Sequence, residues 1–477
     1  MLFSQLQFWV FFAGVFALYA VLPHRAQNRM LLVASYIFYG AWDWRFLGLI
    51  AFSTLVDYLV GAKMGAENDP RRRKLLLSVS LLTNLGLLGV FKYLGFFVDS
   101  FVALSNAVGL PADPVVLGIV LPVGISFYTF QTLSYTIDIY RRDLKPCRDF
   151  LDFALFVAFF PQLVAGPIER ARNLLPEIAQ PRQLHWDAIG RGAVLCLVGL
   201  IKKIVIADAI SPGVDAVYGN PNATGAEIIV ATWLFAIQIY CDFSGYTDIA
   251  RGVAKMLGFG LMRNFAQPYF ATNPQEFWHR WHISLSTWLR DYLYISLGGN
   301  RGGRWHTYRN LLLTMVLGGF WHGAAWNFVL WGFYQGMLLS LHRALTGRRK
   351  GSKEGRRHGL GELLLRIATV ALFFQVVCYG WLLFRAQSFE QIVTFTGRIL
   401  TLNPADFGAL AMPSVPVPAL AGMLALLAWD LGTEARGNVR FYASWPLPFR
   451  AALYAVAIYL LAFGATTTPS AFIYFQF

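Results

Sequence analysis

Apolar stretches close to the roughly twenty residues that span a bilayer as a helix recur from one end of this chain to the other. They fall near 5–22, 30–60, 75–107, 115–138, 189–210, 226–241, 309–341, 363–384, 417–431 and 450–466, the second reading as two short passes around Trp42 to Arg45. Within a bilayer every backbone polar group must be satisfied by protein, which confines spanning segments to helices and closed barrels, and spans of this length are helices. The expectation is an all-α polytopic membrane protein with roughly ten to twelve transmembrane or re-entrant helices, forming a single membrane domain over 1–477. Composition agrees: 56% of residues are hydrophobic, mean hydropathy is +0.49, and 14% are charged, against about 25% in soluble domains.

Met1–Gln7 carry no charge, whereas His24, Arg25 and Arg29 follow the first apolar run. That order does not suit a cleaved signal peptide, and it sets the end of the first helix on the cytoplasmic side. The net charge of +14 raises the question of nucleic acid. However, the charge sits in short blocks between apolar runs: Arg71 to Lys74, Arg141 and Arg142 with Lys145, and Arg348 to Arg357. This is the positive-inside pattern, so membrane lipids rather than nucleic acid are the expected contacts. Loops 61–74, 141–149 and 343–362 are therefore expected in the cytoplasm, and Thr401 to Pro418 on the opposite side. The four cysteines, Cys147, Cys196, Cys241 and Cys378, form no CxxC pair and read as small core hydrophobes.

Two tracts break the pattern of plain spans. Phe159 to Arg170 holds two prolines and a glycine within apolar sequence, and Leu121 to Phe127 is similar. Irregular backbone at membrane depth is tolerated only when buried in protein or lining a cavity. The breaks suggest a helical shell around an internal chamber, with an ordinary kinked helix as the alternative.

Chemistry concentrates around two other tracts. Glu276-Phe-Trp-His-Arg-Trp-His282 runs on to Asp291, and Gly319-Phe-Trp-His-Gly323 lies between the apolar runs 311–320 and 324–341. An ionisable residue at membrane depth is a functional candidate. A desolvated, neutral His322 could deprotonate a hydroxyl that attacks an acyl carbon; it could equally be a hydrogen-bonded core histidine. Gly318, Gly319 and Gly323 beside it allow close approach of backbone or substrate. The 276–294 tract reads as one amphipathic helix, with Trp278, Trp281, Leu285 and Trp288 on one stripe. Arg280, Arg290 and Asp291 place it at the interface or along a chamber. His279 and His282 stand three apart without an obvious third ligand, so no metal is expected.

Asp242 to Asp248 sets two acids and three hydroxyls, Ser244 among them, into apolar sequence. It lacks the GxSxG pattern of a serine hydrolase, and either lines a polar passage or satisfies itself. Gly298 to Arg304, including Arg301, either holds a phosphate or pantetheine-bearing donor or is a plain turn.

At this point the sequence resembles the membrane-bound O-acyltransferase (MBOAT) family, within it the branch that serves alginate O-acetylation. The resemblance rests on Leu31 to Tyr39, Leu121 to Tyr128, Phe160 to Pro167, Asp242 to Tyr246, Phe277 to Gly303, Trp321 to Gly323 and Tyr474 to Phe477. It covers nearly the whole chain. It implies tilted helices around a central funnel, with the family's near-universal histidine at His322. The second motif position, asparagine in many eukaryotic members, falls on His282, while His279 matches no catalytic position. Trp278, Trp281, Trp321, Asp242, Ser244, Arg290, Asp291 and Arg301 become candidates for the substrate channel or donor site.

The resemblance further implies a bacterial inner-membrane enzyme with no bound cofactor and acetyl-CoA as acyl donor. Acetyl would pass across the membrane to a periplasmic O-acetyltransferase partner, which modifies the polysaccharide acceptor. Alternatives are a related transferase for cellulose, peptidoglycan or teichoic acid, a transporter without covalent chemistry, and a scaffold for polymer export.

Overall fold

The computed structural model describes residues 1–113, 117–164, 166–347, 359–403, 406, 415–464 and 472–473. The centre of the basic 343–362 loop, most of 401–418 and the Tyr474 to Phe477 tract lie outside the described residues. Among those described the secondary structure is helical throughout, with no strand. Five helical stretches are long and apolar enough to cross a membrane: His24–Ala66, Pro70–Ala107, Gly225–Met256, Leu360–Arg385 and Leu447–Gly464. Leu6–Val21 and Phe150–Leu163 are shorter apolar helices. The protein is a multi-pass membrane protein. The 30–60 stretch is two twenty-residue helices, His24–Asp43 and Leu47–Ala66, joined by a 3-10 turn at Trp44–Phe46. Asp43 makes that turn by accepting the Arg45 amide.

The contacts divide the chain into two compact units, Met1–Cys196 with Thr247–Met262, and Leu197–Tyr246 with Arg263–Phe477. In the first unit, Phe3, Phe8, Phe38 and Phe160 form a ring-on-ring core. Helix faces turned away from it expose Leu6, Leu18, Val21, Leu82 and Phe101, an apolar surface suited to contact with lipid. The two tracts broken by proline and glycine meet here. Gly124 takes a positive φ of 77° at the start of the Ile125–Arg141 helix, and a Cβ there would lie 2.6 Å from the Leu163 carbonyl. The irregular backbone is thus buried against protein, which meets the requirement that motivated the reading of those breaks.

Arg73, from the first basic block, turns inward. Its guanidinium donates to the carbonyls of Met64, Glu67, Ile139 and Tyr140, at the ends of two helices, where a cation complements the helix dipole. Glu169 is also buried and accepts the Met262 amide. Burial pushes its carboxyl up to about 8, against the opposing pull of that amide.

The second unit is built on two antiparallel neighbours, Arg304–His322 and Trp326–Thr346. Gly319 and Gly332 set their spacing. A Cβ on Gly319 would strike the Phe328 carbonyl, and one on Gly332 the Met315 carbonyl. Small residues at such a crossing let helix backbones approach closely. The glycines beside His322 therefore serve helix packing: Gly323 is filled by the Phe328 ring and Gly318 by Leu289.

A buried ion cluster lies in the same unit. Lys203 sits 2.8 Å from Asp208 and 2.7 Å from Asp242, all three side chains enclosed. Asp242 also accepts the Ile473 amide at 2.7 Å. Lys203 belongs to a π-helical turn, Ile201–Ala207.

Candidate active site

The 276–294 tract is not one continuous helix. Pro274–Arg280 ends, Trp281 is extended, His282 takes a left-handed conformation at φ 42°, ψ 55°, and Ile283–Trp288 begins a new helix. A left-handed residue with a side chain costs about 1–2 kcal/mol, so neighbouring structure must impose it. The constraint comes from the irregular segment at Asn264 to Ala266. Ile283 donates its amide to the Asn264 carbonyl (3.0 Å), Ser284 donates to Asn264 Oδ1 (3.2 Å), and Ala266 donates to the Arg280 carbonyl (2.9 Å). Asn273 caps the first helix by accepting the Glu276 amide. Local periodicity predicts a helix here; hydrogen bonds from upstream sequence break it.

The break brings His282 to His322. Their ring centroids lie 6.4 Å apart, and Trp321 touches both rings edge-on, at 6.0 and 5.1 Å. Phe243 closes the far side of His282 at 4.7 Å, while Trp331 and Phe384 wall His322 at 5.2 and 5.5 Å. His282 is 0% and His322 4% exposed. Burial holds the His282 imidazole far below its ordinary range, at about 3, so it is neutral at physiological pH. Phe384 is held in place by the end of its own helix, whose carbonyls at Phe384 and Ala386 accept from Asn327.

A cavity of about 650 Å³ lies in the same unit, and neither His282 nor His322 lines it. Trp278, His279, Arg290, Tyr294, His342 and Arg343 line it, with Leu289, Leu311 and Met315 supplying apolar wall. Trp278 packs at 5.9 Å against Trp331, the same ring that covers His322. A single indole thus stands between the cavity wall and the buried imidazole. The π-helical turn Leu289–Tyr294 supplies three of those linings, and such turns are frequent at functional sites.

The other candidates separate into distinct places. Trp281 is buried among Tyr240, Phe265, Phe277 and Trp381. Arg290 pairs with its neighbour Asp291 at 2.7 Å. Arg301 is exposed, and the cavity is lined by Asn300 instead. Asp242 is engaged by Lys203 and Ile473, and Ser244 is buried; the residue between them, Phe243, is the one that reaches His282. Sequence reasoning did not find Phe243, Trp331, Phe384, His342 or Asn264. The aromatics carry no signal that separates them from other core rings.

Two buried imidazoles in an aromatic enclosure are candidates for general acid–base work, and the cavity carries Arg290 and Arg343 on its wall. The sequence profile of the MBOAT, membrane-bound O-acyltransferase family, matches residues 144–358. The chain is 43% identical over 393 residues to the probable alginate O-acetylase AlgI of Azotobacter vinelandii, covering 82% of this chain and 76% of that protein. The chain belongs to the membrane-bound O-acyltransferase family.

More distant members include the peptidoglycan O-acetyltransferase of Helicobacter pylori, 35% identical over 423 residues (82% of this chain, 77% of that protein). The teichoic acid D-alanyltransferase of Bacillus subtilis is 26% identical over 285 residues (56% and 69%). As an MBOAT member the protein is an O-acyltransferase, which sets aside the transporter and scaffold readings. Both His282 and His322 fall within the matched span.

Proposed function

We propose that this protein is an inner-membrane O-acetyltransferase that takes acetyl from acetyl-CoA on the cytoplasmic side and passes it across the membrane for O-acetylation of an exopolysaccharide, alginate being the favoured polymer. The observation that carries the reading is the His282–His322 pair, enclosed by rings and one indole away from a cavity with two arginines and two further histidines. The two arginines suit the phosphates of a pantetheine-bearing thioester, and the apolar wall suits its pantetheine arm. The choice of acetyl and alginate follows the relative of greatest identity among those described. Peptidoglycan is the next acceptor class, in line with the Helicobacter relative.

In this mechanism His322 acts as general base. Its neutral imidazole takes the proton of the acceptor hydroxyl as the hydroxyl oxygen attacks the thioester carbonyl. The C–O bond forms, the C–S bond breaks, and the imidazolium returns its proton to the departing thiolate. His282, neutral and fixed by its backbone, orients or polarises one reactant. A periplasmic O-acetyltransferase partner completes transfer to the polymer, docking on the face opposite the basic loops.

The test is transfer of radiolabelled acetyl from acetyl-CoA by the purified full chain in proteoliposomes, with and without the periplasmic partner. Label reaching polymer only when both are present supports the relay. Normal polymer acetylation by this chain alone would overturn it, and no label transfer to any acceptor would overturn the acetyltransferase reading. Cysteine labelling should find 61–74, 141–149 and 343–362 shielded from periplasmic reagents; periplasmic labelling of two of them would reverse the orientation.

A further inference from the structure

We propose that Asn264 is a positioning residue for the transfer reaction: its side chain and carbonyl hold His282 in the left-handed conformation that delivers the imidazole to His322. The inference rests on the catalytic reading of the histidine pair given above.

Three observations carry it. First, His282 occupies a backbone region that non-glycine residues avoid, at φ 42°. Such residues persist only when their surroundings over-determine them, and they cluster at functional sites. Second, Asn264 grips both residues that follow. Its carbonyl takes the Ile283 amide at 3.0 Å, and its Oδ1 takes the Ser284 amide at 3.2 Å. These are orphan donors of the helix that starts at Ile283, groups that a residue just before the helix normally satisfies. His282 occupies that place, and no hydrogen bond from its side chain to those amides is present. Asn264 performs the capping from eighteen positions upstream, leaving the imidazole free of that duty. Third, Asn264 is 1% exposed, and its Nδ2 is buried without a hydrogen-bond partner among the described residues. A buried amide with one end idle is unfavourable as mere packing, so the oxygen end accounts for an amide at this position.

The partners of the oxygen also fix the amide orientation, because only Oδ1 can accept from the Ser284 N–H. Loss of the acceptor should release the left-handed turn and let His282 rotate away from the Phe243 and Trp321 rings. Misplacement by about 1 Å is enough to cost roughly 100-fold in rate.

The experiment uses the full chain and a double-mutant cycle. Asn264→Leu, similar in volume but lacking the acceptor, should lower kcat for acetyl transfer roughly 10- to 100-fold with little change in KM for acetyl-CoA. In a His282→Ala background the same substitution should change the residual rate less than about twofold, since interaction energies vanish when one partner is absent. Equal losses in both backgrounds would overturn the proposal. Asn264→Asp, which keeps the Oδ1 acceptor, should restore most of the rate at pH 8.

A second readout does not require transfer. Diethyl pyrocarbonate modification mapped by mass spectrometry should leave His282 untouched in the parent and modify it in Asn264→Leu, with Cys241 and Cys378 still shielded from thiol reagents. A His282 that stays protected would defeat the positioning role, even if acetyl transfer itself proved to be the wrong reaction. If Asn264→Leu yields no folded protein, Asn264→Ala carries the same tests.

Discussion

His282 and His322 present their rings at 6.4 Å and 63° to one another, with Trp321 in edge contact with both. The two arrive by different routes. His322 closes the helix Arg304–His322, whereas His282 sits in a turn imposed from Asn264. A rigid helix end and a strained turn thus face each other, an arrangement that fixes geometry better than two flexible side chains would.

The first prediction concerns His322. His322→Ala should lose about 10²- to 10⁴-fold in acetyl transfer, the usual contribution of a general base, while still eluting as a monodisperse protein. The quantity to measure is transfer per mole of folded variant. Retention of more than about a tenth of the activity would be incompatible with the base assignment.

His279 and His282 should separate kinetically. His282→Ala removes a ring from the enclosure and should depress kcat. His279 is exposed on the cavity wall, so His279→Ala should leave kcat close to normal. It should raise the KM for acetyl-CoA by roughly two- to tenfold, the loss of one polar contact. Steady-state kinetics on both variants decide this, and a kcat loss at His279 equal to that at His282 would contradict it.

Stability should respond to pH in two opposing directions. The unfolded chain protonates His282 near 6.5, but the folded protein resists until about 3. Over that window the unfolded state binds more protons, so stability falls as pH drops from 6.5 towards 3. Glu169 behaves oppositely. Its folded value of about 8 lies above the ordinary 4.5 of the unfolded chain, so its contribution is present below 4.5 and is lost as pH rises to 8 and beyond. Thermal unfolding in detergent should show Glu169→Gln more stable than the parent at pH 8, with the gap closing at pH 5. A pH-independent gap would exclude Glu169 as the titrating group.

Lys203 should be less tolerant than either of its partners. Lys203→Met removes the cation that two buried carboxylates share, and breaking a buried pair typically costs about 3–5 kcal/mol. Asp208→Asn leaves Lys203 paired with Asp242 at 2.7 Å and should cost less. Melting temperatures of the two variants give the order, which would be reversed if the lysine were dispensable.

Much of this was legible in the chain itself. Twenty-residue apolar runs are a direct imprint of bilayer thickness, so the helical membrane class needed no tertiary information. His322 could be picked out because an imidazole between two apolar runs is costly without a purpose. The break at His282 was hidden because its cause lies at Asn264, and a periodic window reads only local spacing. Gly319, beside His322, suggests close approach of backbone or substrate, and it is the backbone that comes close: the Phe328 carbonyl and Gly332 take the space, contacts that depend on the following helix. Arg73 was visible only as part of a basic block, because sequence cannot show which guanidinium folds back onto helix ends. Asp242 read as a polar passage or a self-satisfied group, and the lysine that engages it lies on another helical segment.

The aromatic enclosure has one more consequence, for the fate of an activated ester. A thioester is consumed by water as readily as by an acceptor hydroxyl if both reach it with a base at hand. Phe243, Trp321, Trp331 and Phe384 crowd the two imidazoles so closely that solvent finds almost no surface on either. Under the proposed acetyl transfer, the carbon walls would suppress futile hydrolysis, while the nitrogens would set how fast the productive reaction runs. Opening a gap in those walls would waste donor before it slowed the base.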